Sequence, residues 1–260
     1  MLPSLLLKLV LTPALIGAAT LVGRRWGETL SGWLVGLPLT SAPVVFFLAL
    51  DHGSRFAASA AVGVILGTAS QAAFALAYCW LVARRDEWIP ALACGTLAFA
   101  LATLAFQQLS IGWLPAAVLA CISLLLAIRT LPVYPQAATE GVQAPAYDLP
   151  LRMVVATGLV LFLTAIAPAI GAHLTGLLSP FPLYAGILAV FAHRLGGRAT
   201  AVAVWRGLFF GLFAFVAFFS VIAAGLPQLG IPLGFTLATI ASLLIQSASL
   251  LALRLSRGAN

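Results

Sequence analysis

LSGWLVGLPLTSAPVVFFLALDHG, residues 30–53, and LTGLLSPFPLYAGILAVFAHRLGG, residues 174–197, are the two stretches that decide the fold. They stand 144 residues apart, and pairing Gly27–Phe74 with Gly171–Phe218 makes 13 of 48 positions identical without a gap. Five matches are glycines (Gly27/Gly171, Gly32/Gly176, Gly53/Gly197, Gly63/Gly207 and Gly67/Gly211), and Pro38/Pro182 and Leu39/Leu183 match as well. Glycine and proline matches reflect backbone geometry, so in an apolar chain they weigh more than shared leucines.

The composition places both copies in a bilayer. The chain is 63% apolar and 7% charged, with a mean hydropathy of +1.13, whereas a globular domain carries about a quarter charged residues. Apolar runs of membrane-spanning length recur throughout. Read against their breaks, they predict nine spans near 4–23, 29–50, 56–83, 89–106, 111–129, 151–171, 176–193, 199–224 and 231–253. The net charge of +7 is no nucleic-acid signature, because the basic residues sit singly or in pairs at the ends of apolar runs, as in oriented membrane helices.

Those charges give a topology. Arg24, Arg25, Arg84, Arg85, Arg129, Arg152, Arg194, Arg198, Arg254 and Arg257 all fall on one side of nine spans, and the opposite loops hold only Arg55. The N-terminus is therefore expected outside and the C-terminus in the cytoplasm. Arg24–Arg25 follows the first apolar run rather than preceding it, which favours a retained helix over a signal peptide. Five spans in the first copy turn the second upside down. The expected fold is an all-α polytopic membrane protein of two inverted-topology repeats (5+4). Residues 1–129 form the first repeat, 130–150 a Pro-rich cytoplasmic linker with Pro132, Pro135, Pro145 and Pro150, and 151–260 the second.

Three features stand out as candidate sites. The first is a pair of proline breaks: Gly36-Leu37-Pro38 with Thr40 and Ser41 in span 2, and Ser179-Pro180-Phe181-Pro182 with Tyr184 in span 7. Proline removes a backbone donor and clashes with the preceding turn. Broken helices in inverted-repeat transporters face each other near the midplane and turn their N-termini toward anionic groups; ordinary proline kinks are the plainer alternative. Both breaks come early in their spans, so inversion places one toward each side. The second is Gly63-x-x-x-Gly67 and its duplicate Gly207-x-x-x-Gly211, small-residue pairs that predict close helix packing, including contact between the halves. The third is Arg206, about seven residues into span 8 and on the order of 10 Å along its axis. It is either a cytoplasmic anchor or the charge that meets an anionic substrate. Gln71, with Ser70 and Thr68, and Gln246, with Ser247 and Ser249, are mid-span polar groups; Thr236 and Thr239 lie nearby. Each is a candidate to join helices by hydrogen bonds, and Gln71 is also a candidate substrate-binding residue.

Cys79, Cys94 and Cys121 lie inside apolar runs without a CxxC and read as small hydrophobes. His52, His173 and His193 are far apart at span ends, so no metal site and no cofactor is expected. No acidic residue is placed within the bilayer, which weakens any proton-coupled mechanism built on a buried carboxylate. No nucleophile elbow, phosphate loop or catalytic cluster is present, so the chain is not expected to be an enzyme.

Ser31-Gly32-Trp33-Leu34-Val35-Gly36-Leu37-Pro38-Leu39-Thr40-Ser41 resembles a segment of small bacterial inner-membrane proteins of the GlpM type, single units of a few helices with a similar Gly-x-x-x-x-x-Pro motif. Thr175-Gly176-Leu177-Leu178-Ser179-Pro180-Phe181-Pro182-Leu183-Tyr184, followed by Phe191-Ala192-His193, looks closer still. The resemblance implies a multi-pass membrane location and a tandem fusion of two such units. It assigns no activity and no site residue.

Together these features predict a secondary transporter or permease of the cytoplasmic (inner) membrane. Its partners would be the lipid bilayer and a small-molecule substrate, not nucleic acid. It would work by alternating access around spans 2 and 7. The competing expectation is a non-transporting assembly or envelope-biogenesis subunit, which predicts a dry, filled interior between those spans.

Overall fold

The computed structural model describes residues 6–14, 17, 38–134 and 148–258, and these are helical apart from short connections. After a helix over residues 6–14 (α1) come α2 (Ser41–His52), α3 (Ser54–Arg85), α4 (Trp88–Gln107) and α5 (Trp113–Thr130). The second half holds α6 (Asp148–Leu178) and α7 (Leu183–Gly258). Five helices are long and apolar enough to cross a membrane. α4 and α5 both open Trp-x-Pro, which puts proline in the first turn, where its missing N–H would have had no partner anyway.

Two of these helices are bent into pieces. α6 breaks at Gly171 into 148–170 and 172–178; α7 breaks at Gly197 and Gly230 into α7a (183–196), α7b (198–229) and α7c (231–258). All three glycines have φ between 74° and 81°, a backbone that only glycine adopts freely. The break expected early in span 7 is in fact central. Because Gly171 starts a new helix at 172, the element runs 172–178 and 183–196, with the turn in its middle.

α3 is the axle of the molecule, in contact with α2, α4, α5, α6 and α7. Its 32 residues span about 48 Å, more than the ~30 Å hydrocarbon layer. Its small face is Ala57, Ala60, Ala61, Gly63 and Gly67, all buried. On that face lies 172–178: Gly63 meets His173 and Gly176, Gly67 meets Leu177 and Pro180, and Gly176 meets Ala60. Backbones come this close only where side chains are absent. Of the duplicate pair, Gly211 is buried and Gly207 half-buried on α7b. α4 and α5 turn Leu97, Leu101, Leu104, Ile122 and Leu126 outward.

α3 begins just after Gly53, but α7b begins beside the far end of α3, where Arg198 Nη1 donates to Ala83 O at 3.3 Å. These two helices therefore run in opposite directions. At the start of α3, Lys8 of α1 pairs with Asp51 at 2.7 Å and stands 5.4 Å above the Phe47 ring. At its end, His193 Nε2 and Asp86 Oδ1 lie 2.9 Å apart, and Trp80 Nε1 donates to Thr130 O at 3.1 Å. Arg84, Arg85, Arg129, Arg194 and Arg198 thus gather at one end of the bundle.

The mid-span hydroxyls behave differently from expectation. Thr68, Thr236, Thr239 and Ser247 each donate to the carbonyl four residues earlier in their own helix, at 2.8–3.1 Å. A short hydroxyl reaches its own preceding turn more readily than a neighbouring helix, so these groups are satisfied without joining helices.

Candidate functional site

The two proline segments lie side by side rather than toward opposite ends, and the part of span 2 before Pro38 lies outside the described residues. Pro38 is buried, and its carbonyl accepts the Ala42 N–H at 2.8 Å; Pro182 is buried, and its carbonyl accepts the Gly186 N–H at 2.7 Å. These are the same bond at positions 144 apart. The halves are tied across the breaks by Ser41 Oγ, which donates to Ser179 O at 3.1 Å in a fully buried setting.

Between the breaks is a cavity of about 40 Å³, room for about three waters. The first half contributes Leu39, Thr40, Ser41 and Gln71, and the second contributes Pro180, Phe181, Pro182, Leu183, Tyr184 and Ala185. Val155, Leu159, Leu208, Leu212 and Phe215 complete most of the wall. Gln71 lies near the middle of α3, and Leu212 and Phe215 near the middle of α7b, so the cavity sits at mid-depth. Among the described residues, no Asp, Glu, Lys or Arg lines it.

Of the residues singled out in the sequence, Thr40, Ser41, Gln71, Pro180, Pro182 and Tyr184 line this one space. Pro38 stands directly behind it, and Gly36 lies outside the described residues. Arg206 is half-buried and does not line the cavity.

Several lining residues carry no sequence signal taken alone. Phe215 is the position 144 after Gln71, and Ala185 the position 144 after Ser41, so the repeat itself offers a way to find them. Val155 and Leu159 are aliphatic residues on an aliphatic helix and cannot be distinguished from their neighbours. Phe181 draws notice in the sequence only for its flanking prolines, yet its ring is held edge-on by Phe99 at 5.0 Å and by Phe74 at 6.1 Å. Phe74 in turn packs on Trp205 at 5.4 Å, so the second-half side of the cavity rests on a block of aromatic rings.

The chemistry available is recognition. Its described residues offer an amide, hydroxyls and two helix starts beside apolar walls. Among the described residues, no group of three His, Cys, Asp or Glu side chains is placed to hold a metal ion. Compared with protein families, with curated proteins and with solved structures, the chain matches none.

Proposed function

We propose that the chain is a small secondary carrier of the cytoplasmic (inner) membrane, moving a small solute by alternating access between two halves of opposite orientation. One observation carries this: two proline turns, 144 residues apart in sequence and each leading into a helix (α2 after Pro38, α7a after Pro182), meet around a partly polar cavity at mid-depth. Irregular backbone at that depth is tolerated where it is buried in protein or lines a cavity, and transporter sites occupy such places. The opposed directions of α3 and α7b support an inverted pair of repeats. The arginines gathered around Asp86 and His193 support a cytoplasmic placement for that end. The resemblance to GlpM-type proteins is consistent with fused units and adds no activity.

A non-transporting assembly subunit calls for a filled interior between the breaks, and the cavity speaks against it. The test has two arms. Single cysteines at Gly112 and Gly196, in a background with Cys79, Cys94 and Cys121 replaced, are expected to react with an impermeant maleimide from opposite sides of the membrane. Reaction from the same side would remove the inversion. Reconstituted protein is expected to exchange a labelled small solute across vesicles; no exchange of any small anion, amine or sugar would leave the assembly subunit as the better account.

A further inference from the structure

Building on that carrier, we infer that the cavity receives a small organic monoanion, with its carboxylate or sulfonate at the starts of α2 and α7a and its short apolar tail toward Phe181 and Phe215.

The charge comes from the backbone. α2 begins at Ser41 and α7a at Leu183, and both starts line the cavity. Each helix N-terminus carries about half a positive charge, so the two together match about one negative charge. The Ala185 N–H has no acceptor among the described residues. The opposing carbonyl end, that of 172–178, is already occupied. Ser179 N–H donates to Thr175 O and Gly176 O, Phe181 N–H to Leu178 O, and the Ser41 hydroxyl to Ser179 O. At the helix starts, the Ala42, Leu183 and Gly186 N–H groups are held by Pro38 O, Phe181 O and Pro182 O, which leaves Ala185 N–H as a donor for a ligand.

A second observation is independent of the helix starts. Gln71 is only 6% exposed, lines the cavity and has no side-chain hydrogen bond among the described residues. Its amide atoms are not sealed within the protein and open into the cavity, where a ligand oxygen can accept from the NH₂ group. With no lysine or arginine among the described residues of the wall, a dianion would leave one charge uncompensated in a low-dielectric site. A cation would face two positive helix ends.

The two halves differ in what they place at equivalent positions. Where the first half has Thr40, Ser41 and Gln71, the second has Tyr184, Ala185 and Phe215. The duplication has therefore diverged into a hydrogen-bonding side and an aromatic side. A ligand with one anionic head and a short hydrocarbon tail matches that division, and a fully polar solute does not.

The experiment compares near-isosteric probes on the purified full chain in detergent at constant ionic strength. Propionate and ethanesulfonate are expected to raise the unfolding temperature saturably, by roughly 2–4 °C at tenfold excess over Kd. n-Propylammonium, 1-propanol and succinate are expected not to. Gln71→Leu, and independently Thr40→Val, should fold and weaken propionate binding, at least about tenfold for Gln71→Leu and less for Thr40→Val. Equal stabilisation by 1-propanol or n-propylammonium overturns the anion assignment. So does unchanged propionate affinity in both variants. Ethanesulfonate, which stays ionised and crosses lipid poorly, then reports flux in vesicles. Binding without flux overturns the carrier and leaves the site intact. Flux of n-propylammonium with no anion binding overturns the site and leaves the carrier intact.

Discussion

Gly53 and Gly197, 144 residues apart, hold the same backbone conformation: φ 88° and ψ 167° in one, φ 76° and ψ −177° in the other. Each joins two helices, α2 to α3 and α7a to α7b. The chain turns at both places without a loop because this region of φ/ψ space belongs to glycine almost alone.

Alanine at either position is therefore expected to destabilise the fold by about 1–3 kcal/mol. The cause would be purely conformational, since nothing lies within 4 Å of where a Cβ would stand at Gly53 or Gly197. Thermal unfolding of Gly53→Ala and Gly197→Ala in detergent measures it. Two unaffected variants would mean that the junctions relax into another turn at no cost.

Gly176 presents the opposite case, with ordinary helical backbone and no space. A Cβ there collides with the Ala60 carbonyl, and one at Gly63 collides with His173 O. Because the obstacle is backbone on both sides, neither residue can step aside. Gly176→Ala and Gly63→Ala should each lose about 1–3 kcal/mol or more. Gly158, with nothing within 4 Å, is the control: Gly158→Ala is expected to be neutral or to stabilise by up to ~1 kcal/mol. Comparable losses at all three positions would mean that close packing of the halves is not what holds Gly63 and Gly176.

The pattern of what is legible in the sequence follows from these two kinds of glycine. Gly53/Gly197 and Pro38/Pro182 set backbone geometry directly, so their recurrence at a fixed spacing announces the helix breaks without coordinates. The meeting of the breaks is less accessible. It depends on a helix starting at 172 rather than near 176, where the apolar run suggests, and this moves the Pro180–Pro182 turn to the middle of its element. The hydroxyls of Thr68, Thr236, Thr239 and Ser247 escape a sequence reading because spacing does not distinguish a bond to the same helix from one across to a neighbour. Phe215 and Leu212 are hidden for a simpler reason: in a chain that is 63% apolar, an aliphatic or aromatic cavity wall looks like any lipid-facing helix.

Ser41 is the polar tie between the halves at the cavity. Its hydroxyl reaches Ser179 O at 3.1 Å from a position with no solvent exposure. Ser41→Ala removes the donor and leaves a carbonyl unpaired, a loss of about 1–3 kcal/mol. Ser41→Cys, nearly isosteric with a weak donor, should fall between alanine and the parent. Unfolding midpoints in that order support a structural hydrogen bond. Alanine equal to the parent would mean that water or a backbone shift satisfies Ser179 O instead.

Asp86 closes α3 with φ 55° and ψ 30°, the one non-glycine residue with positive φ among the described residues. Its N–H bonds Val82 O at 2.9 Å, and its carboxylate meets His193 at 2.9 Å. The position 144 later is Gly230, where α7 bends. Two demands thus meet on one residue: a left-handed backbone and a contact to the other half. The carboxylate side chain is 59% exposed, so its contact with His193 contributes little, within about 1 kcal/mol. The backbone demand is the larger, because a β-branched residue in this region is strained by about 1–2 kcal/mol. Asp86→Asn and Asp86→Gly should therefore stay close to the parent in unfolding temperature, while Asp86→Val should drop clearly below both. If Asp86→Asn falls as far as Asp86→Val, the bond to His193 dominates instead, and the end of α3 is held chiefly by the opposite half of the chain.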